Sequence, residues 1–232
     1  MAFLPFYLLV VILFVGIAAG GSHAVTSIAE NQPVPRDHTF IIDAGHGGID
    51  GGATSCTGVL ESSLNLEIAL RLNDLLRLMG HNTVMIRTTD TSVHTADGSI
   101  AHIKMSDLKE RVRIVNETEN SILVSIHQNT FSDSRYSGAQ VFYGGDRSRE
   151  LAEILQTSLV RTINTESRRR CKPANGVYLM EKIERPGVLV ECGFLSNSSE
   201  EAKLRSPDYQ KKLCSVIAAC LSSFVLDGQT ND

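Results

Sequence analysis

The chain reads as an α/β protein with parallel strand pairing, and three observations predict it. Short apolar runs at 40–42, 122–126 and 187–194 have strand length and deliver polar side chains among or just after them. Longer stretches carry apolar residues at helical spacing. The order strand, helix, strand over residues 39–87 is a βαβ unit, whose strands pair in parallel. At 232 residues, 42% hydrophobic and 21% charged, the chain suits one domain with a real core. No period of repeats argues for a solenoid or propeller. The net charge of -4 gives no reason to expect nucleic acid as a partner.

The N-terminus stands apart. From Ala2 to Gly21 no side chain is charged, and about 20 apolar residues suffice to span a bilayer. Ser22, His23 and Ala24 follow as a small-x-small pattern of the cleavage-site type, although no Lys or Arg precedes the run. Residues 1–24 are therefore expected to be a signal peptide or a membrane anchor, and either places the rest outside the cytoplasm. Residues 25–37, with two prolines and scattered polar residues, are expected to be a linker. The catalytic domain is expected over 38–228. The five cysteines show no C-x-x-C spacing and are expected to be free thiols.

Thr39 to Asp43 is the first expected strand, leading into a glycine-rich loop with His46 that runs to Gly58. Leu64, Ile68, Leu72, Leu75, Leu76 and Met79 then recur at helical spacing, with Gly80 as the stop and Glu61 at the helix start. Thr83 to Arg87 is the second strand. Residues 88–105 are expected to be a loop, long enough to act as a lid, in which His94, Asp97 and His102 are solvated. Ser106 is expected to cap the next helix, with Asp107 and Glu110 in its first turn. Ile122 to Asn129 brings His127 to a strand end. Gly138 to Tyr143, Gly176 to Met180 and Gly187 to Phe194 read as further strands. Helices are expected around Leu151 to Ile163 and Leu213 to Phe224. Arg168, Arg169 and Arg170 form a basic run whose default is a solvated face.

Strand and helix ends thus present His46, Glu61 and His127, while Glu191 interrupts an apolar strand, where a carboxylate is costly without a partner or a task. Two histidines and one carboxylate are a sound set for catalytic zinc, leaving the fourth tetrahedral position open. A separate carboxylate then serves as general base. Spacing alone leaves this open against unconnected polar residues. Cys192 alternates away from Glu191 on the strand and is not expected to be a nucleophile.

Asp43 to Gly48, Glu61 ahead of Leu64 to Leu66, Ser125 to Asn129 and Val190 to Asn197 resemble the zinc-dependent N-acetylmuramoyl-L-alanine amidases of the type 3 family. Four motifs in order cover roughly 39 to 226. The resemblance implies a single three-layer αβα domain around a mixed, mostly parallel sheet. It implies His46, Glu61 and His127 as ligands of one Zn2+, with Glu191 catalytic. The implied reaction is hydrolysis of the amide between N-acetylmuramic acid and L-alanine in peptidoglycan, Glu191 moving the water proton to the leaving nitrogen. Asn129, two residues past His127, is expected to touch substrate, and Asp43 to hydrogen-bond a ligand histidine. Gln128 stands where many relatives carry a smaller residue, so the pocket beside His127 is expected to differ. Length, the single apolar segment and the stretch Asn175 to Met180 are most similar to the germination-specific branch, which acts on spore cortex ahead of muramic δ-lactam formation. Peptidoglycan is the expected partner, with the membrane a second one if the apolar segment stays uncleaved; a partner protein is unknown. A peptidoglycan-binding protein without turnover and a zinc peptidase cutting within the stem remain the alternatives.

Overall fold

The structure, a computed structural model, describes residues 38–227. The apolar segment 1–24, the linker 25–37 and the last residue of the expected domain lie outside the described residues. Among the described residues no helix is long and apolar enough to cross a membrane.

Six strands make one sheet: β1 (Thr39–Ala44), β2 (Asn82–Met85), β3 (Ser121–Asn129), β4 (Gln140–Tyr143), β5 (Lys172–Pro173) and β6 (Gly187–Phe194). Their spatial order is β2-β1-β3-β6-β4-β5. The first four in that order run parallel; β4 is antiparallel to β6, and β5 is parallel to β4. The sheet is therefore mixed and mostly parallel. Helices α1 (Glu61–Leu78), α2 (Ile100–Glu117), α3 (Arg149–Thr162), α4 (Tyr178–Lys182), α5 (Ser198–Leu204) and α6 (Pro207–Asp227) flank it.

The period of four in Leu64, Ile68, Leu72 and Leu76 places one stripe of α1 on the sheet, and all four are buried. They join Phe40, Ile42, Val124, Ile126 and Val190 on one sheet face, with Leu155 of α3 and Ile217 of α6. Each such side chain contributes about 1.5–3 kcal/mol when fully buried. The opposite face buries Ile41, Leu123 and Leu189 under Val115 of α2 and under Leu179 and Met180 of α4. Because strand side chains alternate, Asp43, Ser125, His127 and Glu191 share that second face. The face is apolar where the parallel strands begin and polar where they end. This polar end is where ligands bind in open α/β sheets.

Two element readings change. The helix expected to start at Ser106 starts at Ile100, capped by Ser99, whose hydroxyl accepts from the His102 amide at 3.3 Å. Ser106 lies well inside the helix, in its second turn, and its hydroxyl accepts from the amides of Thr95 and Ala96. The loop after β2 is correspondingly shorter and is tied to the His46 loop: Asp90 accepts from the Gly48 amide at 3.1 Å. The strand expected at 176–180 is instead the short helix α4, because Gly176 at φ 78° turns the chain before Tyr178. All five cysteines are free. Cys192 is fully buried on the face opposite Glu191, and burial pushes its thiol up.

Candidate metal centre

His46, Glu61 and His127 converge, each offering a ligand atom within 4.8 Å of the other two. Among the described residues this is the one His/Cys/Asp/Glu cluster of that kind. Glu61 is the first residue of α1, where the helix dipole favours a carboxylate. Its Oε1 lies 3.3 Å from His46 Nε2 and 3.1 Å from His127 Nδ1. Oε1 also accepts from the Gln128 amide at 3.1 Å and from Asn65 Nδ2 at 3.3 Å, while Oε2 accepts from the Ala53 amide at 2.9 Å. The Glu61 side chain is 5% exposed. Burial alone would raise its pKa, but His127 and His46 hold it well below the usual carboxylate range.

His46 sits at φ 62°, a left-handed conformation that a non-glycine residue adopts only when its surroundings impose it. They do so on both sides. Arg111 Nη2 donates to the His46 carbonyl at 2.8 Å, and Gly47 and Asp50 exchange backbone hydrogen bonds of 2.8 and 3.1 Å. Asp50 Oδ2 holds His46 Nδ1 at 2.8 Å, leaving Nε2 to face Glu61; Lys104 braces Asp50 Oδ1 at 2.7 Å. Burial works against a charged His46 ring, yet Glu61 and Asp50 raise its pKa to about 9. Glycines make room for the rings. A Cβ on Gly45 would stand 2.2 Å from the His127 ring, and one on Gly52 would stand 2.7 Å from Glu61 Oε2.

Glu191 is the register partner of His127 on the adjacent strand. Its Oε2 is enclosed and has no hydrogen-bond partner. Burial raises its pKa to about 7, against the opposing pull of His127. An enclosed, unpartnered carboxylate oxygen beside two imidazoles and an anionic carboxylate is a donor set that fits a divalent cation and its water. A cleft of about 360 Å3 opens on this centre, with Gly45, His46, Lys104, His127 and Tyr178 in its walls.

Asp43 takes a different place from that expected. Asp43 bonds no ligand histidine; it is 1% exposed, paired with Arg111 and accepting from Ser125 Oγ at 2.6 Å. The histidine-orienting carboxylate is Asp50. The register shift past His127 adds its extra residue to β6, where Asn129 pairs with Phe194, so β3 keeps its alternation and Asn129 stays on the His127 side, half-buried like His127. Gln128 points to the opposite face, where Nε2 donates to Asn65 Oδ1 at 3.2 Å, so its side chain does not shape the cleft. Two buried arginines that sequence patterning does not single out hold the His46 loop. Arg87 donates to the carbonyls of Ala44, Gly45, Ser62 and Thr89 at 2.8–3.0 Å. Arg111 donates to those of Ala44 and His46 and to Asp43 and Asp107. The only signal for Asp50 is an acid four residues past His46 within the glycine run.

Known proteins share this arrangement of elements. A family model described as N-acetylmuramoyl-L-alanine amidase matches residues 40–223. The germination-specific N-acetylmuramoyl-L-alanine amidase of Bacillus subtilis is 38% identical over 180 residues, spanning 76% of this chain and 75% of that protein. The CwlD amidase of Clostridioides difficile, solved in complex with the GerS lipoprotein, superposes with a TM-score of 0.77 at 36% identity, over 80% of this chain and 97% of that one. An N-acetylmuramoyl-L-alanine amidase structure from Clostridium difficile 630 gives a TM-score of 0.71 at 32% identity, over 83% and 98% of the two chains. The match over residues 40–223 and these relatives show that the chain belongs to the N-acetylmuramoyl-L-alanine amidase family and is itself a peptidoglycan amidase.

Proposed function

We propose that this amidase is zinc-dependent, that His46, Glu61 and His127 hold one Zn2+, and that it acts on spore cortex peptidoglycan ahead of muramic δ-lactam formation. The observation that carries the chemical part is the convergence of three ligand atoms beside the unpartnered Glu191 oxygen. Two imidazoles and a carboxylate suit zinc, a borderline ion, better than the all-oxygen sites of Mg2+ or Ca2+. Bound there, the ion would act as a Lewis acid and bring the pKa of water to about 7.

The chain's own residues do the rest. Glu191, whose Oε2 has no hydrogen-bond partner within the protein, takes a proton from water and gives it to the departing alanine nitrogen. Asp50 orients His46, and Asp43 acts on the same loop through Arg111. The cleft beside His46 and His127 receives the muramoyl peptide. The spore assignment is supported by the likeness to a germination-specific amidase. CwlD is solved with a lipoprotein, which supports a protein partner for this chain as well. Peptidoglycan lies outside the cytoplasm, so the reading requires export, which residues 1–24 would direct as a signal or an anchor.

Mass analysis of digested peptidoglycan tests the reaction. New L-alanine N-termini with intact glycan are expected. Cuts further along the stem would show a peptidase instead, and no products would show a binding protein. A deletion strain with normal cortex δ-lactam would overturn the spore assignment.

A further inference from the structure

We propose that an arginine-lined groove at the sheet edge is a second, non-catalytic site that binds the acidic peptide stems of peptidoglycan. The groove encloses about 730 Å3 between α3 and the segment leading into β5. The helix supplies Arg149 and Arg161; the segment supplies Arg168, Arg169 and Arg170. With Glu153 as the one acid, the lining carries a charge of +4 in a chain whose net charge is -4.

Runs of arginine ordinarily form solvated faces. This one departs from that default because the segment folds back along the helix that precedes it, α3, whose Arg149 and Arg161 form the other wall of the groove. Arg149 is answered by Glu153 at 2.9 Å. Arg161, Arg168 and Arg170 are exposed, and among the described residues none of the three has a carboxylate partner. Arg169 fixes the run to the sheet: Nε donates to the Ser137 carbonyl at 2.9 Å, Nη1 donates to Gln140 Oε1 at 3.2 Å, and the guanidinium lies 4.9 Å from the centre of the Phe194 ring. Converging guanidinium groups raise the local potential and present paired N–H donors that match carboxylates.

Position supplies the ligand. Gln140 is the register partner of Glu191 and donates to the Arg170 carbonyl. The groove thus begins two strands along the sheet from Glu191, and its α3 wall packs on the face opposite the metal centre, so the two sites would hold different stems of the polymer. None of the groove residues lines the metal cleft. Peptidoglycan presents a carboxylate-bearing stem at repeated intervals, so one stem can react while another is held. The identity of this polymer rests on the amidase reading.

The test uses the full-length chain, wild type and the triple variant Arg161→Gln/Arg168→Gln/Arg170→Gln. Each is cosedimented with purified sacculi at low and high salt, and hydrolysis of a small soluble muropeptide is followed alongside. Parallel sacculi have their carboxylates amidated or their phosphodiester-linked polymers removed. We expect the variant to bind intact sacculi about tenfold more weakly, with muropeptide turnover unchanged. Wild-type binding should fall comparably on amidation and in high salt. Equal binding of the two proteins overturns the proposal. So does wild-type binding that survives amidation but vanishes with the phosphodiester polymers, and so does joint loss of binding and turnover in the variant. If neither protein cuts the muropeptide, the amidase reading fails, while sedimentation still decides the groove.

Discussion

Arg111→Met should destabilise the metal-free protein severely, and the size follows from what Arg111 touches. Its side chain is 3% exposed, paired with Asp43 and with Asp107 Oδ2 at 2.6 Å, and it donates to the carbonyls of Ala44 and His46. Methionine keeps the stem and removes every donor. Asp43, 1% exposed, is then left with only the Ser125 hydroxyl. Breaking a buried pair in this way costs about 3–5 kcal/mol. At about 2–4 °C per kcal/mol for a domain of this size, the melting temperature should fall by roughly 6–20 °C. The double variant Asp43→Asn/Arg111→Met removes both charges and should recover part of the loss, because no unpaired ion remains at Asp43. The pH dependence has a definite sign. Burial pushes the Asp43 carboxyl up, but Arg111, His127 and Ser125 together hold it below its ordinary value. A depressed carboxyl stabilises fully above its unfolded pKa of about 3.9 and loses that contribution as pH falls through the lower folded value. The gap between wild type and Arg111→Met is therefore full at pH 7 and narrows in acid. Thermal and denaturant melts measure it. A loss under about 1 kcal/mol at pH 7 would refute the reasoning, as would a double variant no better than the single one.

Three further outcomes follow from the same geometry. Asp50→Ala frees His46 Nδ1 and should weaken metal binding about 10- to 100-fold in a metal titration, with little change in melting temperature; unchanged affinity would remove Asp50 from the centre. Glu191 has a folded pKa raised to about 7, so the fold binds its proton more tightly than the unfolded chain, and stability falls as pH rises from about 4.5 to 7. Metal-free Glu191→Gln should accordingly melt higher than wild type at pH 8, by about 3 kcal/mol at most, with no difference near pH 4; a variant less stable at pH 8 contradicts the burial argument. Gly45→Ala places a methyl 2.2 Å from the His127 ring and should lower metal affinity together with stability by about 1–3 kcal/mol; full metal binding in this variant would mean that the ring has room to move.

The groups that meet the centre were legible because each stands where a short apolar run or a helix begins or ends. His46, His127 and Glu191 follow or interrupt strands, and Glu61 starts α1; periodicity locates such places even without contacts. Their supports were not legible for a physical reason. Asp50, Lys104, Arg87 and Arg111 matter through single hydrogen bonds made across loops and helices, and nothing in local pattern separates a buried arginine from a solvated one. Ser106 shows the same limit: a serine ahead of an acidic turn looks like a helix cap, yet Ser99 caps α2 and the Ser106 hydroxyl serves the preceding loop. At 176–180 the apolar residues are too few to show a period, so strand and helix look alike until Gly176 turns the chain.

In the proposed reaction Glu191 moves the proton at a centre held by His46, Glu61 and His127. The most direct measurement compares purified wild type and Glu191→Gln, each with its bound zinc quantified, by counting L-alanine N-termini released from peptidoglycan. Equal zinc content and a rate reduced by at least about 100-fold in the variant are expected. Equal rates at equal zinc content would contradict this role for Glu191.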